Sequence, residues 1–183
     1  MPKVTFVKKA RKDNPACKKG ESYYWWKHAY SSKRYSLTRP RSSQLTQSDF
    51  LSQLYGAQEA IEDGGSSLSS LRDAIEDARS VIEEIGGECT EKRDNMPDAL
   101  QDASTGELLQ TRADSCEEVA QRLDELLGEM ADDDDALAAR VIATAFTDKE
   151  GGPDAQEIED AKDQQVSEWQ SEALDIAGEV DEG

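Results

Sequence analysis

The sequence is short of the residues that usually carry chemistry. It has one histidine, His28, and three cysteines, Cys17, Cys89 and Cys116, with no C-x-x-C spacing among them. An odd, scattered set of thiols argues against a disulfide scaffold or a zinc finger and fits free thiols in a reducing compartment. A single histidine cannot complete a metal site with cysteines so far apart. Long apolar runs are also missing. None approaches the roughly 18 residues of a membrane span, and the N-terminus lacks the apolar stretch of a secretory signal. The expectation is a cytoplasmic protein with no membrane partner. Apolar residues make up 36% of the chain against 33% charged, so the core is thin.

Catalytic signatures are missing as well. The glycine pairs Gly64-Gly65, Gly86-Gly87 and Gly151-Gly152 each follow a helical pattern. A phosphate-cradling loop instead opens a helix from a strand. Carboxylates are so abundant that no pair stands out as a general acid and base. The run Asp132 to Asp135 lacks the alternating ligands and the glycine of an EF-hand loop. Cys116 falls on an apolar helix face and reads as core. Cys17 stands among Lys12, Lys18 and Lys19, which favours a reactive thiolate, and His28 is its only possible imidazole partner. No catalytic residue, metal ligand or cofactor is assigned, and the chain reads as non-enzymatic.

What is present is a division of charge. Residues 1–41 hold twelve Lys/Arg and two acids, a balance of +10. Residues 42–183 hold nine Lys/Arg and 38 acids, a balance of −29, and the two sum to the net charge of −19. Such a split implies two surfaces with different partners, or one end that pairs with the other, in cis or between copies.

The hydrophobic period changes at the same place. Lys3–Lys8 alternates as a short strand, with Val4 and Phe6 on one side and Thr5 and Val7 on the other. Residues 9–21 carry loop chemistry around Asn14, Pro15 and Gly20. Ser22–Tyr30 (SYYWWKHAY) is a second strand rich in aromatics. A tight turn is expected at Ser31-Ser32, then a strand over Lys33–Thr38 ended by Pro40. Beyond Ser43 the period is helical. Phe50, Leu51, Leu54, Tyr55 and Ile61 share a face behind an N-cap at Ser48, and Gly64-Gly65 stops that helix. Leu68, Leu71, Ile75, Ala78, Ile82 and Ile85 recur by threes and fours, a heptad-type seam of about 27 Å. Gly86-Gly87 reads as its C-cap. After a connector containing Pro97, Leu109, Ala113, Cys116, Val119 or Ala120, Leu123, Leu126 or Leu127, and Met130 form a second seam on a helix from about Gly106 to Met130. The two seams predict an antiparallel helical hairpin. A further helix is expected over Ala136–Phe146. The last, from residue 154 to about 178, has Pro153 at its first position and Ile158, Ala161, Gln165, Trp169, Ala173 and Ile176 on one face. The fold class is α+β, a small β hairpin or meander before a mainly helical region. The expected divisions are a basic aromatic β module over 1–46, a helical hairpin or bundle over 47–150, and an acidic C-terminal helix over 151–183, either packed or mobile.

Two surfaces are candidates for binding. In the head, Lys8, Lys9, Arg11, Lys12, Lys18, Lys19, Lys27, Lys33, Arg34, Arg39 and Arg41 surround Tyr23 and Trp25. Alternation sets Tyr23, Trp25 and Lys27 against Tyr24, Trp26 and His28. One face supplies a core, and the other offers cations for phosphates and rings for bases. The plainer account is that a unit of this size uses its aromatics to bury area. In the body, Glu117, Glu118, Asp124, Glu125, Asp132, Asp133, Asp134 and Asp135 form an acidic interaction surface. Residues 117–135 hold nine acids, about one per 3 Å if helical. Phosphates on one DNA strand are spaced about 3.4 Å apart. Residues 154–182 hold eleven acids against Lys162 alone. The plainer account here is a solvated acidic face.

The segments Lys8-Lys9-Ala10-Arg11-Lys12, Lys19-Gly20-Glu21-Ser22-Tyr23-Tyr24-Trp25-Trp26-Lys27 and Arg39-Pro40-Arg41-Ser42-Ser43-Gln44-Leu45-Thr46 resemble the opening of uncharacterised small phage-borne proteins. The resemblance covers about a quarter of the chain and implies a viral or mobile-element setting: host cytoplasm, or a virion. The strand–turn–strand pattern is also similar to arm-type DNA-binding modules of phage integrases, at the level of fold. Three functions follow as expectations. The first is a binding or assembly protein whose head holds a polyanion, either nucleic acid or an acidic protein surface, and whose helices hold protein partners. The second is a host-enzyme inhibitor whose acidic helices mimic DNA. The third is a virion or scaffold component that self-associates through its opposite charges.

Overall fold

The computed structural model describes residues 1–147 and 152–180. The fold is α+β, a three-stranded antiparallel sheet followed by a mainly helical region. The chain divides into two compact units, Met1–Gly56 and Ala57–Gly183. The boundary expected at 150/151, the first glycine of the pair Gly151-Gly152, and the terminal acids Asp181 and Glu182 lie outside the described residues.

In the first unit, β1 (Thr5–Val7), β2 (Tyr23–Trp26) and β3 (Arg34–Ser36) form a meander in that order. Thr5 pairs with Trp25 and Val7 with Tyr23, while Trp25 also faces Tyr35 across β3. Side chains alternate along each strand, so Thr5, Val7, Tyr23, Trp25 and Tyr35 share one face. Phe6, Tyr24, Trp26, Arg34 and Ser36 share the other. The second face is buried only toward Trp26 and His28, and Phe6 remains 49% exposed.

The turn between β2 and β3 lies earlier than the expected Ser31-Ser32. Ser31 N–H donates to the His28 carbonyl at 3.3 Å, which centres the bend on Ala29 and Tyr30. Tyr30 takes φ +61° and is fully exposed. Left-handed backbone is rare for an aromatic residue, which is why sequence pattern pointed to the two serines instead. After β3, a 3-10 turn at Ser42–Leu45 leads into α1 (Asp49–Gly64). The Ser48 hydroxyl accepts from Leu51 N–H at 3.4 Å, as expected of its N-cap, and Ser52 Oγ donates to the Ser43 carbonyl at 2.9 Å.

In the second unit, α2 (Leu68–Asp94) and α4 (Ser104–Glu129) form the hairpin, joined through the short α3 (Asp98–Gln101). Every position of the first seam is buried, and in the second Ala113, Cys116, Val119, Ala120, Leu123, Leu126 and Met130 are buried. The pairing is antiparallel. Arg72, near the start of α2, donates from Nη1 to the carbonyl of Leu127 in the last turn of α4 at 3.1 Å and to that of Ala131, just past its C-cap, at 3.2 Å. The Leu127 carbonyl is one of those a helix end leaves without an intrahelical partner, so a side chain of α2 caps α4.

Gly86-Gly87 does not end α2, which continues for two more turns to Asp94. A Cβ on Gly86 would lie 2.9 Å from Cys116 Cβ, whereas one on Gly87 would meet nothing within 4 Å. Gly86 is therefore a contact point at which α4 closes on α2. The packing gained there outweighs a helix-propensity cost of about 1 kcal/mol per glycine.

α5 (Asp134–Ala145) and α6 (Ala155–Ala177) complete the unit. Pro153 does not occupy the first position of α6. Asp154 is the N-cap, accepting from Glu157 N–H at 2.9 Å while Glu157 accepts from Asp154 N–H at 2.8 Å. The buried stripe of α6 is Val166, Trp169, Ala173, Ile176 and Ala177. The expected Ile158, Ala161 and Gln165 are only half-buried, since Val166 rather than polar Gln165 faces inward. Gln170 Nε2 donates to the carbonyls of Ile61 and Glu62, both at 2.9 Å, capping the end of α1.

Two substitutions separate these roles. Gly87→Ala should stabilise by about 0.5–1 kcal/mol through helix propensity, and Gly86→Ala should destabilise because the added methyl meets Cys116. Denaturant unfolding of the two variants checks the opposite signs. Ile75→Ala, at a fully buried seam position, should cost about 2–5 kcal/mol, read from the same curves.

Candidate polyanion-binding surface

The loop joining β1 to β2 carries half of the head's cations, and its backbone is held by its own polar residues. Asn14 Oδ1 accepts from Ala16 N–H at 2.9 Å and Cys17 N–H at 3.0 Å, a turn that asparagine side chains favour. Ala10 N–H donates to the Glu21 carbonyl at 2.8 Å, and Gly20 N–H to the Ala10 carbonyl at 2.9 Å, so the hairpin ladder reaches into the loop. The only two acids of residues 1–41 serve the same frame. Asp13 Oδ1 accepts from Lys19 N–H at 2.7 Å, and Glu21 Oε2 from Lys18 N–H at 2.8 Å. Both carboxylates are thus occupied by backbone amides rather than by cationic side chains.

Most of the head's cations have no ion pair among the described residues. Lys8, Lys9, Arg11, Lys12, Lys18, Lys19, Lys27, Lys33, Arg34, Arg39 and Arg41 are all exposed. Among the described residues none of Lys8, Lys9, Arg11, Lys12, Lys18, Lys19, Lys27, Arg34 and Arg39 forms an ion pair. Like charges concentrated on a small rigid unit repel one another and attract polyanions.

The aromatic face is only partly open. Tyr23, Trp25 and Tyr35 are half-buried, and the Tyr23 and Tyr35 rings are tilted at 5.9 Å. Lys33 Nζ sits 4.1 Å from the centroid of the Trp25 ring, a cation–π contact. A base stacks on that side of Trp25 only by displacing the ammonium. Cys17 is buried, and its sulfur accepts from Asn14 Nδ2 at 3.2 Å, so it packs rather than presenting a nucleophile. Cys116 is also buried, and desolvation followed by the neighbouring Cys89 thiol pushes its pKa up to about 11; burial raises that of Cys89 too. Both are neutral thiols at physiological pH.

The acidic surface is less uniform than its composition. Glu117, Glu118, Asp124 and Glu125 are exposed on α4, and Asp124 lies 3.8 Å from Arg79 Nε. Three members of the aspartate run have local partners. Asp132 lies 3.8 Å from Arg72, Asp133 caps α5 by accepting from Ala136 N–H at 2.8 Å, and Asp134 lies 3.9 Å from Lys162. Arg122 pairs with Glu179. Among the described residues no three His, Cys, Asp or Glu side chains gather as a metal site, and no helix is long and apolar enough to cross a membrane.

No family model, curated protein or solved structure matches the chain. The loop frame built by Asp13, Asn14 and Glu21 was not drawn from the sequence, although Asn14-Pro15 carries a turn signal.

The roles within the aspartate run are separable. Asp133→Ala should cost about 1 kcal/mol through loss of a helix cap, while Asp135→Ala should leave the melting temperature unchanged. Thermal unfolding of both variants checks the difference.

Proposed function

We propose that the chain is a non-enzymatic binding protein whose basic head holds a polyanion, nucleic acid in the first place, and whose acidic helical unit meets protein partners. One observation carries this reading: the head's cations stand exposed while both of its acids are spent on backbone amides. Among the described residues most of these cations have no ion-pair partner, and an external polyanion would supply one. The resemblance of the N-terminal stretch adds a phage setting. Mimicry of DNA by the acidic helices has less support, because Asp132, Asp133 and Asp134 hold neighbouring structure and Asp124 is paired.

Phosphate contacts give binding a steep salt dependence, because each releases condensed counterion. With about six contacts, affinity for single-stranded DNA should fall by roughly 300-fold between 50 and 200 mM salt. Replacing Lys18 and Lys19 by alanine removes two exposed ammonium groups and keeps the framing amides. The logarithmic salt slope should then flatten by about 1.4, at roughly 0.7 per single-strand contact. Fluorescence anisotropy of a labelled oligonucleotide against the full chain measures both. No binding at the lower salt overturns the reading.

A further inference from the structure

The first unit contains a cleft of about 440 Å³ whose lining includes Lys27, His28, Thr46, Gln47, Leu51 and Tyr55. These come from the end of β2, the segment after the 3-10 turn, and the first two turns of α1. His28 is 7% exposed, and its Nε2 has no hydrogen-bond partner in the protein. A buried polar atom of this kind is costly to leave unsatisfied, and a ligand that offers a complementary group to it is favoured. Lys27 and Gln47 are exposed and make no polar contact with other described residues.

The size and chemistry narrow the ligand. A phosphate alone leaves most of such a volume empty. A wholly apolar ligand leaves the imidazole nitrogen and the Gln47 amide unused. A flat heterocycle with hydrogen-bonding edges suits a cleft with both leucine and tyrosine walls and polar groups. The open face of the sheet is a poorer place for it, because Lys33 already covers Trp25.

We propose that this cleft receives one nucleobase of a bound single strand, with Lys27 on the adjoining phosphate. This rests on the polyanion reading above and adds to it a preference for unpaired strands. The bases of a single strand turn out of the stack readily; those of a duplex must first be unpaired, at a cost in affinity.

The test compares two labelled oligothymidylates of equal length and charge, one intact and one with abasic sugars throughout, titrated against the full chain at low salt. The intact strand should bind about tenfold tighter, the scale of one base contact. Ala29→Trp changes an exposed residue that also lines the cleft, so it fills the space without disturbing the core. It should bring the intact strand down to the abasic affinity and leave the abasic strand and its salt slope unchanged. His28→Gln should lose part of the preference. Equal binding of the two strands, or equal weakening of both by Ala29→Trp, overturns the cleft while the polyanion reading stands. Binding of neither strand overturns both.

Discussion

The close approach of α2 and α4 is the constraint on which the helical unit depends. A chain this rich in carboxylates repels itself, and its apolar area is confined to narrow seams. Those seams stabilise the fold only if the helices pack without gaps. Gly86 against Cys116 permits that approach at one end of the hairpin, and Arg72 caps the end of α4 at the other. Along the same seams, Leu71, Ile75, Ile82 and Leu123 are fully buried. The acids can then stay on the outside of a scaffold whose register is already set.

The first unit solves the opposite problem. It holds a dense positive charge on strands of three or four residues and little apolar area. Its order comes from short-range polar bonds, with Asp13, Asn14 and Glu21 clamping the loop, and from a few large side chains such as Trp26, Phe50 and Leu54. The same economy leaves the lysines and arginines exposed. A structural need, clamping the loop with the two carboxylates of residues 1–41, thereby produces the property on which the proposed function rests.

The sequence revealed the parts that depend on repetition and hid those that depend on a single distant partner. The seam from Leu68 to Ile85 was legible because its spacing recurs, and the aromatic strand because its residue types favour sheets. Gly86-Gly87 misled because a glycine pair after an apolar run has the same local signature as a helix end; only Cys116, far along the chain, explains it. The turn at Tyr30 was missed because an aromatic residue rarely takes left-handed backbone. The aspartate run looked uniform because charge counting does not see that Asp133 is a cap and that Asp132 and Asp134 have partners. The His28 cleft was invisible for the same reason as Gly86, since its walls come from three separated segments.

The proposed division of labour gives nucleic-acid binding to the basic head and no part of that contact to the acidic helical unit. The most direct measurement is an amide chemical-shift titration of the full-length chain with a short single-stranded oligonucleotide at low salt. Shifts are expected only in residues 1–56, largest in the loop around Lys12, Lys18 and Lys19 and around His28 and Gln47, with the amides of α2 and α4 unmoved. Shifts centred on the acidic face of α4, or no shifts at all, would contradict it.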